Sequence, residues 1–197
     1  MSVTFFAAIS RMKYIERWAL MRSSRPENLS EHAMEVAMIA HALCTIGNIR
    51  CGKNLNADRA AVIGLFHDAS EIITGDMPTP VKYGNSDIRS AYKEVEKKAE
   101  ERLLEKLPDD LKDTYRAIFF AGEDESEQYL RRLVKAADKI SALIKCIDEE
   151  NAGNREFSTA QKSLENTIRE MEAELPEAAD FMRDFFPAYG RTLDELL

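Results

Sequence analysis

The groups that could carry out chemistry are concentrated in one short stretch, Phe66-His67-Asp68-Ala69-Ser70-Glu71. It supplies a histidine, two carboxylates and a hydroxyl within five positions, directly after an apolar run. Imidazole nitrogen and carboxylate oxygen are ligands that zinc and other divalent transition metals accept. If the stretch is helical, Glu71 lies four residues after His67 and three after Asp68, on the same face. The spacing predicts a metal held by His67 and Asp68 with a carboxylate one turn away.

The chain has only three histidines, His32, His41 and His67, so few combinations could complete such a site. His32 and His41 are nine residues apart, which places them half a turn out of phase on a straight helix. They therefore cannot serve one site. His41 is flanked by alanine and leucine in mid-helix, which favours a structural or surface role. His32 stands beside a polar loop, where functional residues are common, so it is the better candidate ligand.

Asp138 is a further candidate, because it lies on the shoulder of an otherwise apolar helical stripe. A half-buried carboxylate is costly unless it is paired or bound to a metal. Two interpretations follow from its position. Asp138 either forms a salt bridge with a lysine or arginine, or it is a metal ligand.

The elements that must position these residues are predicted to be helices throughout, because apolar residues recur at helical spacing and no strand alternation is present. Residues 17–28 are expected to be irregular, and the prolines and glycine of 75–80 should break regular structure. The predicted helices of the first half cover about 4–16, 29–46 (closed by Gly47 and Asn48), 57–73 and 87–107. A shorter helix is predicted from Pro108 to about Phe120. Three more helices are predicted to begin at Ser126, Ser158 and Pro176.

Composition limits the class of protein. With 197 residues, 45% hydrophobic and 31% charged, the chain is expected to form one globular domain. A net charge of −8 argues against a nucleic acid polymer or an anionic membrane as partner. The three cysteines form no CxxC pair, no apolar run is long enough to span a membrane, and no signal-peptide pattern is present. A cytoplasmic location is therefore expected.

The order of His32, His67-Asp68 and Asp138 resembles the H…HD…D pattern of the HD-domain metal-dependent phosphohydrolases. Longer segments are similar to the bacterial HD-domain 5′-deoxynucleotidases: Arg17-Trp18, Glu27-Asn28-Leu29-Ser30-Glu31-His32, His67-Asp68-Ala69-Ser70-Glu71 and Thr74-Gly75-Asp76-Met77-Pro78-Thr79-Pro80-Val81-Lys82-Tyr83. The resemblance covers about residues 5–155 and thins over the C-terminal helices, 156–197. It implies an all-α fold, a single HD-domain helical bundle over 1–197 with a metal site between helices.

This resemblance implies an enzyme that releases phosphate from deoxyribonucleoside 5′-monophosphates, with one divalent ion held by His32, His67, Asp68 and Asp138. Two imidazoles and two carboxylates suit cobalt, manganese, zinc, iron or copper better than magnesium. Such an ion activates water and neutralises phosphate charge. Glu71 would manage the proton of the departing 5′ oxygen. Outside this context, Glu71 would be read as an exposed helix carboxylate.

Substrate contacts are implied for Arg17 and Trp18. The planar donor fork of arginine matches two phosphate oxygens, so Arg17 is expected to orient the phosphate for catalysis. Trp18 is expected to help exclude ribonucleotides, and its alternative role is a core anchor. His32 and Asp138 would also face the substrate, and Arg22 and Lys82 are weaker phosphate candidates.

The segment Asp76-Met77-Pro78-Thr79 is implied to fold over the sugar and base, the alternative being a plain connector between helices. Two positions nearby depart from the family pattern. Met77 replaces what is often leucine, a volume-conserving change. Gly84 stands where a bulkier residue is expected, which puts in doubt only the stiffness after the loop. The resemblance also implies a homodimer.

Two alternative functions stay open on the sequence. One keeps the site and changes the substrate, to a nucleoside triphosphate or a cyclic nucleotide. The few basic residues near the motif disfavour a triphosphate. The other is a non-catalytic, nucleotide-sensing protein with a structural metal. Glu71 argues against it, since a structural metal site needs no additional carboxylate there.

Overall fold

A computed structural model describes residues 3–78 and 85–197, and over these ranges the chain is almost entirely helical, which confirms the all-α prediction. The helices are α1 (Phe5–Ile9), α2 (Leu29–Arg50), α3 (Ala57–Phe66), α4 (Glu71–Thr74), α5 (Ser86–Leu104), α6 (Asp109–Phe119), α7 (Glu125–Asn151), α8 (Ser158–Glu174), α9 (Pro176–Asp184) and α10 (Leu193–Leu196). Short 3-10 turns cover Ser10–Tyr14, Arg155–Phe157 and Phe186–Ala188.

The main hydrophobic core lies between α2, α3 and α7, and α8 and α9 close it from one side. Its centre is completely buried, with Leu43 of α2 and Leu133 and Ile140 of α7 at 0% exposure. A second cluster, around Phe5, joins α1 to the ends of α5 and α6, and Ala69 packs within it. The segment that carries His67 and Asp68 therefore rests on packed side chains on both sides.

Helices α2 and α3 approach each other closely at Gly64. A Cβ atom there would lie 2.9 Å from the Cα of Ala37 and 3.0 Å from its backbone nitrogen. Such distances are too short for a real side chain, so only glycine permits this backbone-to-backbone packing. The close approach sets the distance between the start of α2 and the end of α3.

Helix α2 continues past the predicted stop at Gly47 and Asn48, and that boundary was wrong. Gly47 is buried within the helix, where a Cβ would lie 2.6 Å from Oε1 of Glu177 on α9. The glycine provides room for a neighbouring helix. The helix ends at Arg50, ahead of Gly52, whose φ is +64°.

Two further predictions need correction. The stretch 17–28 is not wholly irregular, because β1 (Glu16–Arg17) and β2 (Glu27–Asn28) pair antiparallel, with Arg17 opposite Glu27. The helix predicted over 57–73 is interrupted: α3 ends at Phe66 and α4 begins at Glu71. Within the described ranges, no helix combines the length and apolar character needed to cross a bilayer.

Candidate metal centre

His32 is placed by a well-formed helix start. Asn28 caps α2, since its Oδ1 accepts from the backbone N–H of Ser30 (3.0 Å) and of Glu31 (3.1 Å). The Glu31 carboxylate in turn accepts from the backbone N–H of Asn28. This capping box fixes the first turn of the helix. His32 lies in that turn with its side chain fully buried, at 0% exposure.

The pair His67-Asp68 lies in the turn between α3 and α4. Nδ1 of His67 lies 2.7 Å from the carbonyl oxygen of Gly64, the oxygen that would accept from residue 68 in a continuing α-helix. The backbone instead forms tighter three-residue bonds, from Ala69 N to Phe66 O (3.0 Å) and from Glu71 N to Asp68 O (3.0 Å). The expected placement of Glu71 on one helix face with His67 was therefore wrong, although a backbone bond from Glu71 N to Asp68 O still joins the start of α4 to the turn.

The turn and the start of α2 bring His32, His67 and Asp68 together, with one potential ligand atom of each within 4.8 Å of the others. Nε2 of His67 lies 3.0 Å from Oδ2 of Asp68, and Nε2 of His32 lies 3.7 Å from the same oxygen. Asp138 approaches from α7, with Oδ1 3.2 Å from His32 Nε2. Residues from two helices and a turn thus converge at one point.

The hydrogen bonds behind the two imidazoles determine which nitrogens face the cluster. A carbonyl oxygen can only accept, so His67 donates from Nδ1 to Gly64. Ser141 Oγ donates to Oε2 of Glu35 at 2.6 Å, which uses its only hydrogen, and so its oxygen accepts from His32 Nδ1 at 3.0 Å. Both histidines therefore point Nε2 towards the carboxylates.

These two Nε2 atoms are buried, and among the described residues neither has a hydrogen bond of acceptable geometry. A buried polar nitrogen without a partner is costly, and a metal ion among the carboxylates would satisfy both. The donor set of two imidazoles and two carboxylates also suits a divalent transition metal. On both grounds the residues fit such an ion.

The charged groups of the cluster shift one another's pKa values. Burial and the guanidinium of Arg17 lower the pKa of His32. Burial would also lower the pKa of His67, but the Asp68 carboxylate raises it to about 9. Burial opposes ionisation of Asp68 and Asp138, yet the neighbouring imidazoles hold the pKa of each carboxyl below its ordinary value. The ionised carboxylates supply the negative charge that a cation needs.

Asp138 forms the salt bridge that was one of its two expected roles. Its Oδ1 faces His32, while Oδ2 accepts from Nζ of Lys139 at 2.9 Å. The residue is therefore both half of an ion pair and a wall of the cluster.

Arg17 and Trp18 lie beside the cluster. Arg17 is largely buried, and its Nη1 lies 3.5 Å from Oδ2 of Asp68. Burial would lower its pKa, but Asp68 and Asp138 raise it. Trp18 packs edge-to-face on Phe157, with ring centroids 5.3 Å apart, so it is also a partial core anchor.

The segment at 75–78 meets this pair through one contact, since Oδ2 of Asp76 accepts from the backbone N–H of Trp18 at 3.1 Å. Met77 and Pro78 are half-buried in the same segment. Thr79, Lys82 and Gly84 lie outside the described residues. Arg22 is exposed, and its carbonyl oxygen accepts from Asn154 at 2.6 Å.

Glu71 is buried at the start of α4, with 4% exposure. The alternative of an exposed helix carboxylate is therefore wrong. The cluster of His32, His67 and Asp68 does not include Glu71. Glu71 therefore adds a further carboxylate, directly after the turn, that is not one of the clustered ligand groups. His41 lies elsewhere: its side chain is half-exposed, and Nε2 is 3.8 Å from Oδ1 of Asp58.

Three residues that contact the site were not singled out from the sequence. Ser141 and Glu35 hold His32, and Glu27 accepts from both Arg17 and Trp18. A signal was present for Ser141, because a small polar residue three positions after Asp138 shares its helix face. Glu35 likewise lies three positions after His32 and shares its helix face.

Comparison with known proteins agrees with this geometry. A family model described as 5′-deoxynucleotidase YfbR-like matches residues 4–189. The protein named 5′-deoxynucleotidase of Vibrio cholerae is 45% identical over 98% of this chain and 97% of its own length. A 5′-deoxynucleotidase of an Enterobacter species is 46% identical over 98% of this chain and 94% of its own.

Solved structures show the same fold. An HD-domain phosphohydrolase from Listeria innocua superposes with a TM-score of 0.81 at 22% identity, covering 96% of this chain and 90% of that one. A cyanophage S-2L HD phosphohydrolase, bound to dA and one catalytic Zn²⁺ ion, superposes with a TM-score of 0.64 at 20% identity, covering 98% and 100%. These likenesses confirm the HD-domain helical fold.

Proposed function

Because this chain belongs to the YfbR-like 5′-deoxynucleotidase family, we propose that it hydrolyses deoxyribonucleoside 5′-monophosphates to deoxyribonucleoside and phosphate. The observation that carries the proposal is the convergence of two histidines whose Nε2 atoms face carboxylates. That arrangement serves a divalent cation, and a cation next to a buried arginine suits a phosphate ester.

His32, His67, Asp68 and Asp138 are the residues that would hold the ion, which is cobalt, manganese, zinc, iron or copper. When bound, the ion activates water and neutralises phosphate charge. The orientation of both histidine rings is fixed with Nε2 facing the ion, because their Nδ1 hydrogens are engaged by Ser141 and Gly64.

Arg17 binds and orients the phosphate. Its guanidinium is buried beside Asp68, so its charge acts at short range and with little screening by water. Trp18 lies next to it in sequence and presents a rigid aromatic wall that excludes the 2′-hydroxyl of a ribonucleotide. Asp76, Met77 and Pro78 contribute the nucleoside side of the site, and His32 and Asp138 also face the substrate. Thr79, which lies outside the described residues, is assigned to the nucleoside side from the family resemblance alone.

Glu71 delivers the proton to the departing 5′ oxygen. Its side chain is buried at the start of α4, directly after the turn that carries His67 and Asp68. Proton transfer by a positioned side chain contributes about 10²–10⁴ in rate.

The wider organisation belongs to the same proposal. Residues 1–197 form one HD domain, the protein works in the cytoplasm, and it is a homodimer. Met34 and Met38, one turn apart on α2, are exposed at 55% and 58%, and they are the apolar side chains of this helix face that could contact a second copy.

The test is to remove divalent metal with a chelator, add back each candidate ion separately, and measure phosphate release. The substrate panel contains deoxy- and ribonucleoside 5′-monophosphates, deoxynucleoside triphosphates and cyclic nucleotides. Metal-dependent release from the deoxy monophosphates alone is expected. Preferential turnover of triphosphates or cyclic nucleotides would select the superfamily alternative, and metal binding without turnover of any substrate would select a sensing protein.

A further inference from the structure

Glu27 occupies a central position next to the substrate contacts. It lies on β2 directly opposite Arg17 on β1, and its side chain is only 12% exposed. One oxygen, Oε2, accepts from Nε of Arg17 at 3.1 Å and from Nε1 of Trp18 at 3.1 Å. A single carboxylate oxygen therefore joins the two side chains that contact the phosphate and the sugar.

Trp18 depends on such an anchor because its backbone is strained. Its φ is +59°, and it is the one non-glycine residue with positive φ in the described part of the chain. A bulky residue in this region costs about 1–3 kcal/mol and persists only when its surroundings determine it. The Asp76 carboxylate accepts from its backbone N–H, Phe157 packs edge-to-face with its ring, and Glu27 accepts from its indole N–H.

Arg17 is constrained by the same oxygen. The bond at Nε fixes the plane of the guanidinium, while Nη1 is directed to Asp68. Any movement of Glu27 changes both the guanidinium plane and the indole orientation, because they share the acceptor. The orientation of the phosphate and the exclusion of the 2′-hydroxyl are thereby coupled.

We propose that Glu27 is a positioning residue that sets the preference for deoxyribose over ribose by holding Arg17 and Trp18 as one unit. This inference rests on the proposed function, in which those two residues contact substrate. Glu27 touches no substrate itself and acts through its neighbours.

The test begins with a readout that needs no turnover. Trp18 is the only tryptophan, so a ¹⁵N-labelled protein gives a single indole N–H signal. In the wild type this hydrogen should exchange slowly with solvent, and Glu27→Gln should move the signal and accelerate exchange. Glu16→Gln, at an exposed neighbouring position, is the matched control and should leave the signal unchanged. An indole signal unaffected by Glu27→Gln would overturn the proposal.

Kinetics then separate positioning from simple stability. Because Glu27→Gln replaces the charged acceptor that both side chains share, it should reduce the deoxy-to-ribo ratio of kcat/KM about tenfold, which corresponds to about 1.4 kcal/mol. Trp18→Phe keeps an aromatic ring and removes the N–H, so it tests the same bond without changing Glu27. In the Trp18→Phe background, Glu27→Gln should change the ratio little further, because the indole bond is already absent and the remaining bond to Arg17 acts on the phosphate, which both substrates share.

The remaining outcomes are decisive. If Glu27→Gln does not fold, Trp18→Phe and Glu27→Asp must lower the ratio, and an unchanged ratio in both would contradict the inference. If Trp18→Ala leaves the ratio unchanged, the sugar role of Trp18 in the proposed function is wrong. If the wild type is inactive on every deoxynucleotide, the proposed reaction fails, and the indole signal still decides whether Glu27 holds Trp18.

Discussion

Ser141 on α7 accepts a hydrogen bond from Nδ1 of His32 on α2, at 3.0 Å and across 109 positions of the chain. Ser141 in turn donates to Oε2 of Glu35, which is partly buried, so a carboxylate, a hydroxyl and an imidazole form a row behind the candidate metal centre. This row selects the tautomer in which His32 presents Nε2 to the cluster.

Removing that hydroxyl should weaken metal binding more than it weakens the fold. Ser141→Ala leaves Nδ1 of His32 without its acceptor, and loss of such outer partners typically costs about 10–100-fold in metal affinity. Isothermal titration of the metal-free protein with Zn²⁺ or Mn²⁺ measures the effect directly. Ser163→Ala, at an exposed position on α8, is the control. Equal affinities in all three proteins would show that the row does not orient His32.

Gly64→Ala should disturb the site through the fold. The added Cβ would meet the backbone of Ala37 at 2.9 Å, and overpacking of this kind costs about 1–3 kcal/mol. Because α2 and α3 would be pushed apart, His32 and His67 would separate, and metal affinity should fall together with the free energy of unfolding. Gly122→Ala is the control, since a Cβ there meets nothing within 4 Å. A destabilised Gly64→Ala protein with unchanged metal affinity would contradict this link.

Glu71→Gln should separate metal binding from turnover. The amide is nearly isosteric but cannot carry the transferred proton, so kcat should fall about 10²–10⁴-fold. Metal content, measured by mass spectrometry of the purified protein, should be unchanged because the four proposed ligands, His32, His67, Asp68 and Asp138, remain in place. Full activity in this variant would remove Glu71 from the mechanism.

A pH-dependent contribution to stability is expected from Glu149, which ties α7 to the loop between β1 and β2. Its buried carboxylate accepts from the backbone N–H of Ser24 (2.7 Å), Nδ2 of Asn154 (2.7 Å) and Nζ of Lys145. Burial raises its pKa, but these donors lower it to about 2.

Because the folded-state pKa lies below the unfolded one, this stabilisation is complete above about pH 4.5 and is lost as the pH falls towards 2. The free energy of unfolding of Glu149→Gln, measured with urea at pH 7, should therefore be about 2–4 kcal/mol lower than that of the wild type. This difference should shrink below pH 4.5. Glu150→Gln, an exposed neighbour, should show no such difference. A difference in the free energy of unfolding between wild type and Glu149→Gln that stays constant from pH 7 to pH 3.5 would argue against the role of Glu149.

The candidate ligands could be predicted because their types and order are local properties of the sequence. The break after Phe66 could not, because Ala69, Ser70 and Glu71 are compatible with a helix, and it is the side chain of His67 that takes the Gly64 carbonyl. The stop predicted at Gly47 failed for a related reason, since close packing on Glu177 is a tertiary requirement.

The contacts of Glu27 and Ser141 depend on partners that only the folded chain brings together. Ser141 lies 106 positions from Glu35, and nothing in the local pattern of either residue specifies that distance. Glu27 could be placed only once β1 and β2 were known to pair, since that ladder sets Arg17 opposite it. Residue types were thus predictable, and the hydrogen-bond partners that orient them were not.

The central claim is that His67, and not His41, belongs to a metal centre on which activity depends. The most direct measurement is the bound metal and the phosphate released from a deoxynucleoside 5′-monophosphate, in His67→Ala and His41→Ala purified in parallel. His67→Ala should lose both metal and phosphate release, whereas His41→Ala should match the wild type in both. Retention of metal and activity by His67→Ala, or their loss in His41→Ala, would contradict the account.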